Sequence, residues 1–149
     1  RHMQSAIGLV KKTDNKRMLQ GCYEQLMLMY VSAFTTGDKQ YKKISRDSSH
    51  YYYNLTNATR MELNPSSEHI VLEITKANFL TMDGKYNEAI LTLRNLEDKF
   101  QQGGSQYARY RAFLYRSMIW TFRESGNYKE AVEYSEKFKV EEYNLCILF

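Results

Sequence analysis

One six-residue pattern occurs twice in this chain, and its recurrence narrows the available folds more than any other feature. Gly84-Lys85-Tyr86-Asn87-Glu88-Ala89 returns 42 residues later as Gly126-Asn127-Tyr128-Lys129-Glu130-Ala131. A pattern that repeats at such an interval implies stacked supersecondary units, each burying its apolar side on its neighbour. Apolar residues around the first copy recur at helical spacing: Ile70, Ile74, Ala77 and Leu80 before the glycine, then Tyr86, Ala89, Leu93, Leu96 and Phe100 after it. Such spacing gathers them on one face of a helix. The pattern therefore predicts helix, glycine turn, helix.

The rest of the chain follows the same rhythm. Residues 4–12 read as a short leading helix. A helix over about Lys16–Thr35 places Leu26, Met29, Tyr30, Ala33 and Phe34 on one face, and Gly37-Asp38 ends it. A second, over about Gln40–Leu63, carries Ile44, Tyr51, Tyr52, Leu55, Ala58 and Met61 as its apolar set. Asn64-Pro65 stops it, because the residue before proline is pushed out of helical conformation, and Ser66-Ser67 can cap a helix from about Glu68 to Asp83. The second hairpin closes at Gly103-Gly104; helices over about Gln106–Glu124 and Tyr128–Tyr143 complete the third. With a single proline and 43% hydrophobic residues the chain reads as ordered throughout. The expected architecture is all-α, about seven helices in stacked antiparallel hairpins (about 16–63, 66–102 and 106–143), forming one domain over 4–149.

The pattern G-x-Y-x-E-A between amphipathic helices resembles the turn and second-helix start of the tetratricopeptide repeat family. Ala77 falls at the small-residue position of the preceding helix and Leu80 at the bulky one; in the third hairpin Ile119 stands where the small residue would be. A weaker copy surrounds Gly37 and Tyr41, without the alanine. The long period is similar to that of the long-helix repeats in bacterial regulatory domains of this kind. The resemblance implies a short α-solenoid in which the glycine makes the turn, the aromatic packs between helices and the alanine permits close approach. It also implies a non-catalytic scaffold or sensor that binds a peptide or protein along the first helices of its hairpins.

Charge and motif content exclude several alternatives. Residues 1–60 hold ten Lys and Arg against four Asp and Glu, whereas residues 61–149 hold eleven against thirteen. That is a weaker concentration of positive charge than a nucleic-acid surface needs. Cys22 and Cys146 have no CxxC spacing, and His2, His50 and His69 lie far apart outside any zinc-ligand pattern, so no metal site or cofactor is expected. Phosphate-loop, dinucleotide and nucleophile-elbow strings are absent, leaving enzymatic activity without a starting point. No apolar run is long enough to span a bilayer. Arg1-His2-Met3 reads as the remnant of an expression tag, which makes the chain a candidate piece of a longer protein. Cys146-Ile147-Leu148-Phe149 has the form of a prenylation box and reads equally as the cut edge of a hydrophobic segment, a buried helix end or a membrane span, so a membrane link is expected only through such a lipid or through segments outside this chain. The cytoplasm is the expected compartment, with an extracytoplasmic sensor domain of a membrane protein as the alternative.

The binding candidates lie mostly on the first helix of the third hairpin. Arg109, Phe113, Arg116, Trp120 and Arg123 recur at intervals of four, three, four and three, placing guanidinium groups and aromatic rings on one face. Arginine grips carboxylates in bidentate fashion and tryptophan adds desolvated area, so the expected ligand is an acidic peptide. The competing reading puts Phe113 and Trp120 in the core while the arginines reach water. Asn78, next to Ala77, falls where the resemblance implies a hydrogen bond to a ligand backbone; a capping or helix-to-helix hydrogen bond is the structural alternative. Exposed Tyr, Met and Leu on end helices would instead suit a homo-oligomer.

Overall fold

The computed structural model describes residues 2–12, 15–37, 39–66 and 68–147. Among them there is no strand. Seven α-helices follow one another: α1 (His2–Lys12), α2 (Lys16–Thr36), α3 (Lys39–Leu63), α4 (Ile70–Met82), α5 (Tyr86–Gln102), α6 (Ala108–Glu124) and α7 (Tyr128–Ile147). A 3-10 turn at Gly104–Tyr107 leads into α6, which therefore starts two residues later than its periodicity suggests. α4 likewise starts at Ile70 rather than Glu68, and α7 runs past Tyr143. The helix α1 includes His2 and Met3, which the sequence reading set aside as tag. Asp38, Ser67, Leu148 and Phe149 lie outside the described residues, and with them the full turn at Gly37-Asp38, one of the two cap serines and the end of the prenylation box. No helix among the described residues is long and apolar enough to cross a membrane.

The chain gathers into two compact units, Arg1–His69 and Ile70–Phe149. In the second, α5 packs on α4 and α6, α6 packs on α4 and α7, and one core runs through all four. Its members include Ile74, Ala77, Leu93, Phe100, Leu114, Met118, Phe122, Ala131 and Tyr134. Phe122 stacks on Tyr134 at 5.4 Å, and Thr81 of α4 meets Thr121 of α6 at 2.8 Å. The two repeated turns have the same hydrogen bonds. Gly84 (φ 74°) donates to the Thr81 carbonyl and Lys85 to that of Leu80; Gly126 (φ 80°) donates to the Arg123 carbonyl and Asn127 to that of Phe122. This paired closure at a left-handed residue satisfies the last carbonyls of one helix before the next begins, and it selects glycine. Ala89 and Ala131 then follow, both buried. The tyrosines of the motif differ from expectation: Tyr86 is half-buried, and Tyr128, in the first turn of α7, is 68% exposed. Gly37 also departs, with φ −80°, so the weaker copy of the turn lacks the left-handed glycine.

In the first unit α1 and α3 both pack on α2. The buried face of α2 is Tyr23, Leu26, Met27 and Val31, while Met29, read as part of the apolar stripe, is 51% exposed. The reversal in α3 is larger. Ser45, Ser49, Thr56 and Thr59 are buried, and Ile44, Tyr51, Ala58 and Met61 are exposed. The small buried residues share a face with Tyr52, which stacks on Tyr30 at 5.8 Å and meets Tyr23 at 6.2 Å. Ser49, Thr56 and Thr59 return their hydroxyls to the carbonyls of Arg46, Tyr52 and Leu55 at 2.8 Å each. Each of these three hydroxyls thus has an acceptor within its own helix, and the two backbones can come close.

Gly84→Ala and Gly126→Ala should each lose about 1–2 kcal/mol, the cost of a side chain in the left-handed region. Ala89→Leu should lose about 1–3 kcal/mol by overfilling the space between helices. Chemical denaturation measures both, and neutral results at all three positions would contradict this account of the repeated turn.

Candidate functional site

The six buried positions of α6 are Leu114, Tyr115, Ser117, Met118, Thr121 and Phe122. A helix with that face inward turns the positions of Arg109, Arg116 and Arg123 the opposite way, and all three are exposed. Phe113 and Trp120 are half-buried on the shoulder of the same face, and Phe113 packs against the core. The structure thus gathers four of the predicted residues on one face of α6, with Phe113 shared between that face and the interior. Arg116 holds its guanidinium 5.5 Å from the centre of the Phe138 ring, and Arg109 holds its own 4.7 Å from that of Tyr110. Stacked on rings, these arginines keep their planar donor edges available for a carboxylate.

Asn78 does not join this face. It is buried in α4, and its Oδ1 has no hydrogen-bond partner. The helix-to-helix bond considered for that oxygen is not formed either. Nothing in the sequence distinguished the buried side of α4 at this position, since nine of its thirteen residues are buried, Asn78 among them.

A second polar group was not legible in the sequence. Glu97 of α5 is buried, accepts from the Tyr134 hydroxyl at 2.6 Å and pairs with Lys137 at 2.9 Å. Lys137 lies 4.2 Å above the Tyr134 ring. Across the same helices Arg111 of α6 closes the end of α5 by donating to the Gly104 carbonyl at 2.8 Å and stands 3.8 Å from Glu141 of α7. Burial above all, then the bond to Glu97 and its negative charge, push the Tyr134 phenol far above its ordinary value of 10.0. Burial and the charges of Glu97 and Glu141 push Tyr115 upward too, against the opposing effect of Arg111. The hydrogen bond from Tyr134 and the ion pair with Lys137 tie α5 to α7 through Glu97. The group's one sequence signal was Glu97 itself, a carboxylate inside the apolar run Leu93, Leu96, Phe100.

Compared with protein-family models, with curated proteins and with solved structures, the chain matches none of them.

The raised phenols fix an alkaline response. Protonated tyrosine is favoured in the folded chain, so its contribution is complete below pH 10 and is lost as pH rises from there toward the folded value. Melting temperature should therefore fall above pH 10. Tyr134→Phe should lose about 1.5–3 kcal/mol near neutral pH, the worth of a hydrogen bond to a charged group. It should also flatten the alkaline decline; an equally steep decline in the variant would contradict the assignment.

Proposed function

We propose that this chain is a non-catalytic protein-binding module, the sensor or scaffold part of a cytoplasmic regulatory protein, and that the outward face of α6 takes an acidic peptide. One observation carries the reading: Arg109, Arg116 and Arg123 are exposed at seven-residue intervals along one helix, with Trp120 half-buried beside them. A helix needs only scattered polar residues to be solvated. Three guanidinium groups in line, two of them over aromatic rings, supply planar donors for carboxylates, and the tryptophan supplies apolar area at the centre of the line. The tetratricopeptide-like turns support the same reading, because the resemblance aims the first helix of a hairpin at the ligand. Asn78, buried on α4, is left out of this surface. The alternative reading is a peptide-sensing domain that controls an attached DNA-binding or kinase module, and the full-length gene decides between the two.

A Glu-rich peptide with a free carboxylate end is the first probe. Arg116→Ala should weaken its binding by about 2 kcal/mol or more, as for a central interface arginine, while shifting melting little. Wild-type affinity should drop as salt rises, since exposed charge attraction is screened over about 8–10 Å at ordinary ionic strength. Calorimetric titration at two salt concentrations reads both; unchanged affinity in a stable Arg116→Ala would contradict the site.

A further inference from the structure

The first unit carries an oddity that the peptide reading leaves unused. α3 turns small hydroxylated residues inward and leaves apolar ones outward. Tyr41, Ile44, Ser48, Tyr51, Leu55 and Ala58 follow at alternating intervals of three and four, and Glu62 continues the series. Tyr41 and Tyr51 are each 60% exposed and Ile44 is 54% exposed; Ala58 is exposed, and Ser48 and Leu55 are half-buried. Alternating threes and fours make the seam of a helix that packs lengthwise on another. This seam is about 30 Å long at the rise of an α-helix. Its inner end opens on a cavity of about 300 Å³, lined by Val10 and Lys11 of α1, Leu19 and Tyr23 of α2, and Leu55 and Ala58 of α3. Lys16 and Glu62, paired at 2.9 Å, also line it.

We propose that α3 packs antiparallel on α3 of a second copy of this chain, across a two-fold axis, with Tyr41 of each copy entering the other's cavity. Read against its own reverse, the seam pairs a tyrosine with a small residue in two of its three kinds of contact and apolar with apolar in the third. Tyr41 comes opposite the second copy's Ala58, Ser48 opposite its Tyr51, and Ile44 opposite its Leu55. Two-fold packing requires such self-complementarity, since each residue meets in the partner the residue that meets it in return. The cavity is of a size for one aromatic side chain and sits beside Ala58, where the register delivers the tyrosine. Its ion pair stands ready for the phenol hydroxyl. Charges along the flank do not oppose: Asp47 falls beside the second copy's Asn54. Residues 1–69 hold ten Lys and Arg against six Asp and Glu, so two copies of this first unit repel at long range. The dimer should therefore tighten as salt rises, opposite to peptide binding at α6.

Sedimentation of the full chain from micromolar to millimolar concentration, at low and high salt, tests this directly. A monomer–dimer equilibrium that strengthens with salt is the expected result. Ile44→Glu, at an exposed position, should leave the monomer's melting unchanged, Tyr51→Arg, which gives up an edge contact with Tyr52 at 5.1 Å, should shift it little, and each should weaken the dimer by at least about tenfold, as for central contacts. The register is read by mixing chains carrying Ser48→Cys with chains carrying Tyr51→Cys, in a background of Cys22→Ser and Cys146→Ser. Oxidation should link the mixture in preference to either chain alone. A monomer at every concentration, a dimer that survives both seam substitutions, or a dimer without this cross-link would each overturn the proposal, and a different protein would then be the occupant of the seam.

Discussion

Two helices can approach closely only where their side chains are small, and a small polar side chain can be buried only if its hydroxyl has somewhere to go. This constraint runs through both units. Thr56 and Thr59 in α3 and Thr75 in α4 donate to the carbonyl four residues earlier, Ser49 donates to the one three residues earlier, and Thr81 and Thr121 share their two hydroxyl protons among each other and the carbonyls of Ala77 and Ser117. The carbonyl keeps its helical partner and accepts a second bond, so no group is stranded. Alanine does the same task at Ala77, Ala89 and Ala131, without a hydroxyl to satisfy. Large residues then fill the spaces between the close contacts, as Phe100, Phe122 and Tyr134 do in the second unit.

The outward set of apolar residues on α3 follows from that choice. Once Ser45, Ser49 and Thr56 occupy the side toward α2, the remaining positions of a 25-residue helix include Ile44 and Tyr51, and these face outward. Exposed apolar residues in a line cost solubility unless something covers them. The arginine face of α6 and the seam of α3 lie on different units and answer oppositely to salt, so the two surfaces are separable by experiment.

Helix positions were legible to within a few residues because glycine, proline and apolar spacing act locally. The second and third hairpins also disclosed their turns, through a glycine whose left-handed backbone leaves few alternatives. Which face of α3 turns inward was not legible, and on α2 the stripe was legible except at Met29. Periodicity of Ile44, Tyr51 and Met61 marks a stripe without saying whether it meets the same chain, and small hydroxylated residues carry no apolar signal. On α6 the spacing of Arg109, Arg116 and Arg123 translated directly into a shared face. Asn78 did not translate, because its burial depends on packing that a single position cannot announce. The Glu97–Tyr134–Lys137 group was hidden for a similar reason: its members lie 37 and 40 residues apart and meet only after α5 and α7 have packed.

Thr56 separates space from polarity most directly. Its side chain is fully buried and its hydroxyl bonds only within its own helix. Denaturation of Thr56→Val and Thr56→Leu should give different answers if room between α2 and α3 is what the residue provides. The valine variant, of the same shape, removes a donor without stranding the Tyr52 carbonyl and should stay within about 1 kcal/mol of the parent. The leucine variant should lose about 1–3 kcal/mol through overpacking. A valine variant that loses as much as the leucine one, or a leucine variant as stable as the parent, would contradict the account of close approach on which the reading of α3 rests.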